Sequence, residues 1–265
     1  MAFEFDGEKY KQASSHQKEW ANNILNELNL AGNESILDLG CGDGVITNQL
    51  AEMAQNGEVV GIDASKGMIH TAEKGKKFSN VFFGLKNIND IDYHNRFDLI
   101  FSNATLHWIL DHRKLLCKTY KALKNGGTIR FNFAGEGNCS FFFKIVRQAI
   151  AEPYFREHFK KFEWPWFMPN INTYKEFASG TEFSSIEVWG ENADKYFENS
   201  EAMIKWIDQP SIVPFLKCIP TTKKQNFRDY VVEKMIGETK QEGGTCFETF
   251  RRINIRAKKL KSNGK

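Results

Sequence analysis

The feature that most constrains the fold is a short apolar strand followed at once by a glycine-rich turn. Residues 35–39 have the sequence Ser-Ile-Leu-Asp-Leu, and glycine then occupies every second position of residues 40–44. An apolar helix pattern follows, and a second apolar strand at 58–62 ends at Asp63. A strand, a glycine turn, a helix and an acid at the end of the next strand together indicate the nucleotide-binding edge of a parallel α/β sheet.

Strand and helix patterns continue to alternate through the first half of the chain. Further strands are predicted at 80–84, 97–101 and 128–133, and helices are predicted at 66–77 and 111–123. This alternation is typical of βαβ units with right-handed crossovers, which build parallel sheets covered by helices on both faces.

Two more strand patterns lie near 185–189 and at 250–257, and the alternation of the second is typical of an antiparallel edge strand. The predicted fold is therefore α/β, with a Rossmann-like seven-stranded mostly parallel sheet, helices on both faces and a helical cap. The chain is predicted to be a single domain, 1–265, with core segments at about 1–134, 172–198 and 247–258 and cap insertions at about 135–171 and 199–246.

The composition excludes several classes of function. Lys and Arg number 36 against 33 Asp and Glu, a net charge of +3 that is too balanced to predict nucleic-acid binding. There is no long apolar window and no signal-peptide pattern at the N-terminus, so we expect a soluble, cytoplasmic protein without a membrane partner. Five cysteines form no C-x-x-C pair and six histidines no H-E-x-x-H motif, so no metal is predicted. The oligomeric state is left open.

The carboxylate of Asp38, just before the glycine turn, bears on which cofactor the turn can hold. A pyrophosphate there would meet like charge at close range, at a cost of several kcal/mol where screening is poor. S-adenosylmethionine has no phosphate and carries a sulfonium and an ammonium, so it suits an acid. Asp63 can accept hydrogen bonds from ribose hydroxyls in either kind of cofactor. Val45 stands where a dinucleotide fingerprint needs Gly or Ala, which makes a dehydrogenase a distant alternative.

The segment 37–44, with 61–65 and Met68, resembles the first two motifs of the class I S-adenosylmethionine-dependent methyltransferases. The likeness extends through 97–100 and 123–127 and so covers the whole predicted core. It implies that the chain binds S-adenosylmethionine and releases S-adenosylhomocysteine. The cofactor set that the resemblance implies is Asp38, Gly40, Cys41, Gly42, Asp63, Ala64, Met68, Asn87, Ile88 and Asn103.

Within this set, the resemblance implies that Asp38, Gly40 and Gly42 hold the methionine end of the cofactor. Cys41 is expected to contribute only its backbone. It assigns the ribose to Asp63 and the adenine to Ala64 and Met68. Asn87 stands where the family often has an acid for the adenine amino group. An amide oxygen can accept that hydrogen bond too, so the departure is expected to weaken affinity rather than change the cofactor.

The loop 102–108 follows the fourth strand, at the edge where sheets of this type bind ligands. It resembles the corresponding loop of three families: trans-aconitate, juvenile hormone acid and malonyl-carrier-protein methyltransferases. All three esterify carboxylates, so the resemblance implies a small carboxylic acid as acceptor. The predicted substrate-binding residues are Tyr10, Gln17, His107, Trp108 and Trp166, with His107 as the catalytic residue.

Other interpretations of these residues stay open at this point. Gln17 is also explained as part of a helix-capping box with Ser14. His107 is as often a packed residue as a ligand, and for Trp166 packing within the cap is favoured over contact with a ligand. An acceptor nitrogen, carbon or hydroxyl would make His107 a general base. A non-catalytic protein that binds S-adenosylmethionine is a further alternative.

Overall fold

The computed structural model describes residues 4–5, 7 and 15–260. Two compact units form within it: the first from Met1–Glu136, Trp166–Glu191 and Ile253–Lys265, and the second from Gly137–Pro165 and Asn192–Arg252. Residues 192–198 and 247–252, which the sequence assigns to the core, lie in the second unit.

The elements follow the predicted alternation. The strands are β1 Ser35–Leu39, β2 Glu58–Asp63, β3 Val81–Leu85, β4 Phe97–Asn103, β5 Leu123–Ala134, β6 Ser184–Asn192, β7 Lys195–Phe197, β8 Cys246–Glu248 and β9 Arg251–Lys258. The α-helices are α1 Ser15–Asn26, α2 Val45–Met53, α3 Lys66–Lys74, α4 His112–Ala122, α5 Ser140–Ala151, α6 Ile171–Ser179, α7 Ser200–Trp206, α8 Val213–Leu216 and α9 Thr221–Thr239. None of the described helices is both long enough and apolar enough to span a bilayer.

Seven strands form one sheet in the order β3-β2-β1-β4-β5-β9-β6. The pairs β1–β2, β1–β4, β2–β3 and β4–β5 are parallel, which confirms the predicted mostly parallel sheet. β9 lies between β5 and β6, so the prediction of an edge strand at 250–257 is wrong, and β6 is the edge strand at that end of the sheet. β7 pairs with β8 in a separate antiparallel sheet.

The central strands of the sheet are buried on both faces, as their continuous apolar runs predict. In β1, Leu37 and Leu39 belong to one hydrophobic cluster, which also contains residues of α4 and α6. Ile36 belongs to a second cluster, which contains residues of α1 and α2. Successive residues of a strand point to opposite faces, so this division confirms helices on both sides of the sheet.

The second unit has an aromatic core. The Phe142 ring lies edge-on to Trp206 and Phe215, with ring centroids 5.7 and 6.1 Å apart. The buried carboxylate of Glu248 accepts hydrogen bonds from the backbone N–H groups of Phe141 and Phe142, at 3.2 and 2.9 Å. These two hydrogen bonds satisfy backbone N–H groups that have no acceptor within the first turn of α5. The negative charge also complements the positive end of the helix dipole.

Candidate functional site

The glycine turn after β1 is fixed to the end of β2. The backbone N–H groups of Gly40 and Cys41 both donate to the carbonyl oxygen of Ile62, at 2.8 and 3.0 Å. The Asp63 carboxylate then accepts from the N–H of Gly42 at 3.1 Å and from that of Ser65 at 2.9 Å. The predicted residues of the turn and the predicted ribose acid therefore meet at the carboxyl edge of the sheet, where α/β folds bind ligands.

Asp38 is 2% exposed, and its Oδ2 accepts a hydrogen bond of 2.7 Å from the hydroxyl of Thr47. Burial raises the pKa of Asp38 to about 7; the bond from Thr47 opposes this rise and the negative charge of Asp63 adds to it. Burial also raises the pKa of Asp63, against the bonds from Ser65 and Gly42. A buried carboxylate and a partly buried one beside it favour a ligand that brings positive charge, and they repel a phosphate. The site therefore fits S-adenosylmethionine.

The turn interlocks with the loop after β4. Gly40 has φ +73°, and a Cβ built on it would lie 2.1 Å from Cγ2 of Thr105. The Thr105 hydroxyl donates to the Gly40 carbonyl oxygen at 3.2 Å. Only a glycine lets the backbone pass this close to Thr105 in a left-handed conformation. The loop that carries the predicted acceptor residues is thereby fastened to the turn that carries the predicted cofactor residues.

The residues predicted for the adenine lie on the α3 side of this edge. Met68 and Ile88 are buried, and Ala64 follows Asp63 directly. The Asn87 side-chain oxygen accepts a 2.9 Å hydrogen bond from the N–H of Asn89, which fixes its orientation. A carbonyl oxygen has two lone pairs, so this bond leaves an acceptor position for a ligand.

Asn103, the last residue predicted for the cofactor set, ends β4. It is in register with Asn132 of β5, and the backbone N–H of Ala104 donates to the Asn132 carbonyl oxygen at 2.8 Å. Asn103 therefore lies at the carboxyl edge, near the start of the segment 102–108 to which it belongs.

Glu4 reaches the same edge and was missed by sequence reasoning. Its carboxylate accepts hydrogen bonds from the hydroxyl of Ser65 at 3.0 Å and the N–H of Gly67 at 2.6 Å, at the start of α3. Burial alone would raise the pKa of Glu4, but these bonds lower it overall. The neighbouring Phe5 ring contacts Trp108, with centroids 5.8 Å apart. No local pattern around residues 4–5 signals these contacts.

The turn Leu106–Trp108 is a single turn of 3-10 helix that presents the predicted acceptor residues. The Trp108 ring lies 5.1 Å from that of Trp166 and 5.8 Å from that of His107. The N–H of Phe167 donates to the His107 carbonyl oxygen at 2.8 Å, which fastens the Trp166 segment to the turn. The structure thus brings together three of the five predicted substrate residues.

The other two predicted substrate residues lie near the N-terminus. Tyr10 lies outside the described residues, and of Gln17 only the backbone, in α1, is described. Ser14, the other half of the predicted capping box, also lies outside the described residues, and α1 begins at Ser15.

A family model described as a methyltransferase domain matches residues 30–157. A malonyl-[acyl-carrier protein] O-methyltransferase of Acetivibrio thermocellus is 32% identical over 155 residues, which cover 57% of this chain and 55% of the relative. A trans-aconitate 2-methyltransferase of Acidovorax sp. is 22% identical over 97% of this chain and 98% of its own length.

Among solved structures, phosphoethanolamine N-methyltransferase 2 of Haemonchus contortus, in complex with S-adenosyl-L-methionine, has a TM-score of 0.60. It is 20% identical in sequence, and the match covers 96% of this chain and 57% of that chain. This likeness shows a shared fold. The chain spans about half the length of the malonyl-[acyl-carrier protein] relatives it matches, 54% and 55% in two of them.

Proposed function

We propose that this chain, which belongs to the class I S-adenosylmethionine-dependent methyltransferases, forms methyl esters on a small-molecule carboxylic acid. The observation that carries the proposal is the contact of the glycine turn, which lies beside Asp38 and Asp63, with the loop that holds His107 and Trp108. When bound, S-adenosylmethionine supplies an electrophilic methyl group on its sulfonium centre. The chain's own residues then need to hold the donor and orient the acceptor.

The residues of the edge suit the parts of the donor. The Asp38 carboxylate would accept hydrogen bonds from the ammonium group of the donor. It is a buried acid, and the single hydrogen bond from the Thr47 hydroxyl does not fully offset its negative charge. Asp63 would accept from the ribose hydroxyls, and the buried side chains of Met68 and Ile88 provide an apolar surface for the adenine.

A carboxylate acceptor needs no general base, because its reference pKa near ~4 leaves it ionised at neutral pH. Such a site needs orientation, which can supply about 7–11 kcal/mol of the barrier. We propose that His107 donates a hydrogen bond to the acceptor carboxylate and that Trp108 and Trp166 contact its apolar part. The names of the two curated relatives, which denote malonyl and aconitate acceptors, support an acid.

The test is methyl transfer from labelled S-adenosylmethionine to a panel of carboxylic acids of different length and polarity. We expect a product that releases methanol on treatment with mild base, as an ester does. A base-stable product would show transfer to nitrogen, carbon or a hydroxyl and would contradict the acceptor class. A chain that bound S-adenosylhomocysteine but gave no product with any acceptor would favour the non-catalytic alternative.

The proposed role of His107 predicts that its substitution changes the acceptor KM rather than kcat. For an acid acceptor, His107→Ala should raise the acceptor KM about 10- to 150-fold, because one hydrogen bond to a charged group is worth about 1.5–3 kcal/mol. If His107 were a general base for a hydroxyl, kcat would instead fall by about 10²–10⁴. Steady-state kinetics decide between the two, with the exposed His94→Ala as the control variant.

The raised pKa of Asp38, about 7, predicts pH-dependent binding of the donor. The ammonium group of the donor, which S-adenosylhomocysteine also carries, binds the ionised acid, whereas burial favours the protonated acid in the free protein. Affinity should therefore rise with pH and fall by up to about tenfold per unit below pH ~7, with a proton released on binding. Calorimetry with S-adenosylhomocysteine from about pH 5.5 to about pH 8 checks this; a flat profile would contradict it.

A further inference from the structure

We propose that a buried pair, His112 of α4 and Tyr174 of α6, positions the turn Leu106–Trp108 for the acceptor. The pair acts through the turn and does not touch substrate, so both are positioning residues. The inference rests on the proposed function, which places the acceptor beside His107 and Trp108. Neither residue was singled out by the sequence, and both are at most 1% exposed.

The pair forms a hydrogen-bonded chain that ends on the turn. His112 Nε2 lies 2.9 Å from the carbonyl oxygen of Leu106, the first residue of the turn. His112 Nδ1 lies 3.1 Å from the hydroxyl of Tyr174. The chain therefore connects α6 through α4 to the backbone that carries His107.

The chemistry of the groups fixes where the protons lie. A carbonyl oxygen only accepts, so Nε2 carries a proton and donates it to Leu106. Burial lowers the pKa of His112 to about 4, although its bond to the Leu106 carbonyl favours the charged form. The ring is therefore neutral, and Nδ1 accepts. Burial raises the pKa of Tyr174, which keeps its hydroxyl protonated as the donor to Nδ1.

The His112 ring also packs against the segment that carries Trp166. The His112 ring contacts Phe167 and Phe133, with centroids 5.0 and 5.1 Å apart. Phe167 in turn donates its backbone N–H to the His107 carbonyl oxygen at 2.8 Å. Two successive carbonyl groups of the turn, those of Leu106 and His107, are thus held from one buried cluster.

A purely structural role would not need these polar atoms. Burying a hydroxyl and an imidazole costs free energy unless each is hydrogen-bonded, and apolar side chains of similar volume could fill the same space. The hydrogen bonds add a fixed position and orientation of the turn. Reaction rates depend on such precision, since a misplacement of about 1 Å can reduce the rate about 10²-fold.

The principal test is Tyr174→Phe, which removes only the hydroxyl and leaves His112 Nδ1 without its donor. We expect kcat/KM for the acceptor to fall about 10- to 100-fold, with the Kd of S-adenosylhomocysteine changed less than about twofold. His112→Gln retains an amide donor for Leu106 and an amide acceptor for Tyr174, so it should keep most activity. His112→Leu, which has neither, should lose as much as Tyr174→Phe. Tyr120→Phe, on α4 and packed against Phe183, is the matched control.

The double variant His112→Leu with Tyr174→Phe separates positioning from stability. The Leu106 carbonyl oxygen still accepts from the Ile109 N–H at 2.9 Å, and the altered pair has no polar side-chain atom left. The free energy of unfolding should therefore recover toward that of the unaltered chain, while kcat/KM stays low. Full recovery of kcat/KM in the double variant would overturn the inference, as would unchanged kcat/KM in Tyr174→Phe.

A readout that needs no acceptor keeps the two proposals distinguishable. The Trp108 indole N–H resonance, recorded with S-adenosylhomocysteine bound, should shift or broaden in Tyr174→Phe and His112→Leu but not in His112→Gln or Tyr120→Phe. If the unaltered chain formed no ester, the acceptor proposal would fail while this spectrum still tested the positioning of the turn. An unshifted indole in Tyr174→Phe would overturn the positioning role whatever the acceptor.

Discussion

Asp38→Asn should weaken binding of S-adenosylhomocysteine about 100-fold or more. This is the largest loss of cofactor affinity that we expect from any single substitution. Removing one partner of a buried charge pair costs about 2–5 kcal/mol, which is about 30- to 5,000-fold in Kd. The amide keeps the shape of the acid and can still accept from Thr47, so the change removes charge rather than packing. Calorimetry of the variant beside the exposed Asp92→Asn control measures the effect.

The same substitution should stabilise the ligand-free protein at alkaline pH. Burial holds the pKa of Asp38 near 7, above its ordinary value of 3.8, so the folded state binds a proton more tightly than the unfolded chain. Stability is therefore lost as pH rises from about 4 through about 7, by up to about 4 kcal/mol. The amide of the variant does not titrate in this range, so the substitution removes this loss.

For Asp38→Asn, the expected changes in cofactor affinity and in the free energy of unfolding have opposite signs, so the two measurements together distinguish a lost charge from a damaged fold. A variant that merely damaged the fold would lower both donor affinity and the free energy of unfolding. We expect donor affinity to fall while the free energy of unfolding of the ligand-free chain at about pH 8 rises by about 2–4 kcal/mol relative to unaltered protein. Binding within about threefold of the unaltered chain would contradict the assignment of Asp38.

The parallel sheet could be predicted because its central strands are buried on both faces and therefore appear as continuous apolar runs. The position of β9 could not. Its alternation of polar and apolar residues resembles a strand with one solvated face, yet Asn254 is buried. The Asn254 side-chain oxygen accepts from Arg130 and from Asn132, both at 2.9 Å. A strand whose polar side chains form a buried hydrogen-bonded network and a strand with one solvent-exposed face show the same alternation of polar and apolar residues.

The start of β5 shows a similar limit. The two glycines after residue 125 indicate a turn and predict a strand that begins at 128, but β5 begins at Leu123. The N–H of Gly126 donates to the Lys259 carbonyl oxygen at 3.0 Å, and the Lys259 N–H donates to the Gly127 carbonyl oxygen at 2.8 Å. Bonds to a segment more than a hundred residues away hold the glycines in the strand, and no local signal announces them.

Some residues of the candidate site could likewise be predicted from the sequence, and others could not. Asp38 and Asp63 each end or nearly end an apolar strand, so sheet topology alone places them at one edge. Glu4 and Tyr174 reach the site through contacts with residues 61 and 62 positions away in the chain, Ser65 and His112. Such pairings depend on tertiary packing, which propensity and periodicity do not contain.

Gly40→Ala should reduce both stability and donor affinity because the turn has no room for a methyl group. The added Cβ would lie 2.1 to 2.6 Å from three side-chain atoms of Thr105, and φ at residue 40 is +73°. A left-handed backbone costs an L-residue about 1–2 kcal/mol, and the contact forces the turn away from the loop after β4. We expect the free energy of unfolding to fall by about 2–4 kcal/mol and the Kd of S-adenosylhomocysteine to rise about 30-fold.

Gly237→Ala is the matched control, because a Cβ at this helical glycine of α9 meets nothing within 4 Å. There, alanine should stabilise the chain by about 0.5–1 kcal/mol, since it limits the unfolded backbone and favours helix. Opposite signs for one chemical change at two sites would show that the effect at Gly40 comes from its surroundings.

A double-mutant cycle with Thr105→Gly separates the two causes at Gly40. Removing the Thr105 side chain removes the steric contact but not the unfavourable φ, so the double variant should recover part of the lost stability, about 1–2 kcal/mol. Donor affinity should recover less, because the bond from the Thr105 hydroxyl to the Gly40 carbonyl is lost as well. Strictly additive effects of the two substitutions would mean that the turn and the loop are not coupled, and the fastening of the cofactor turn to the acceptor loop would then be wrong.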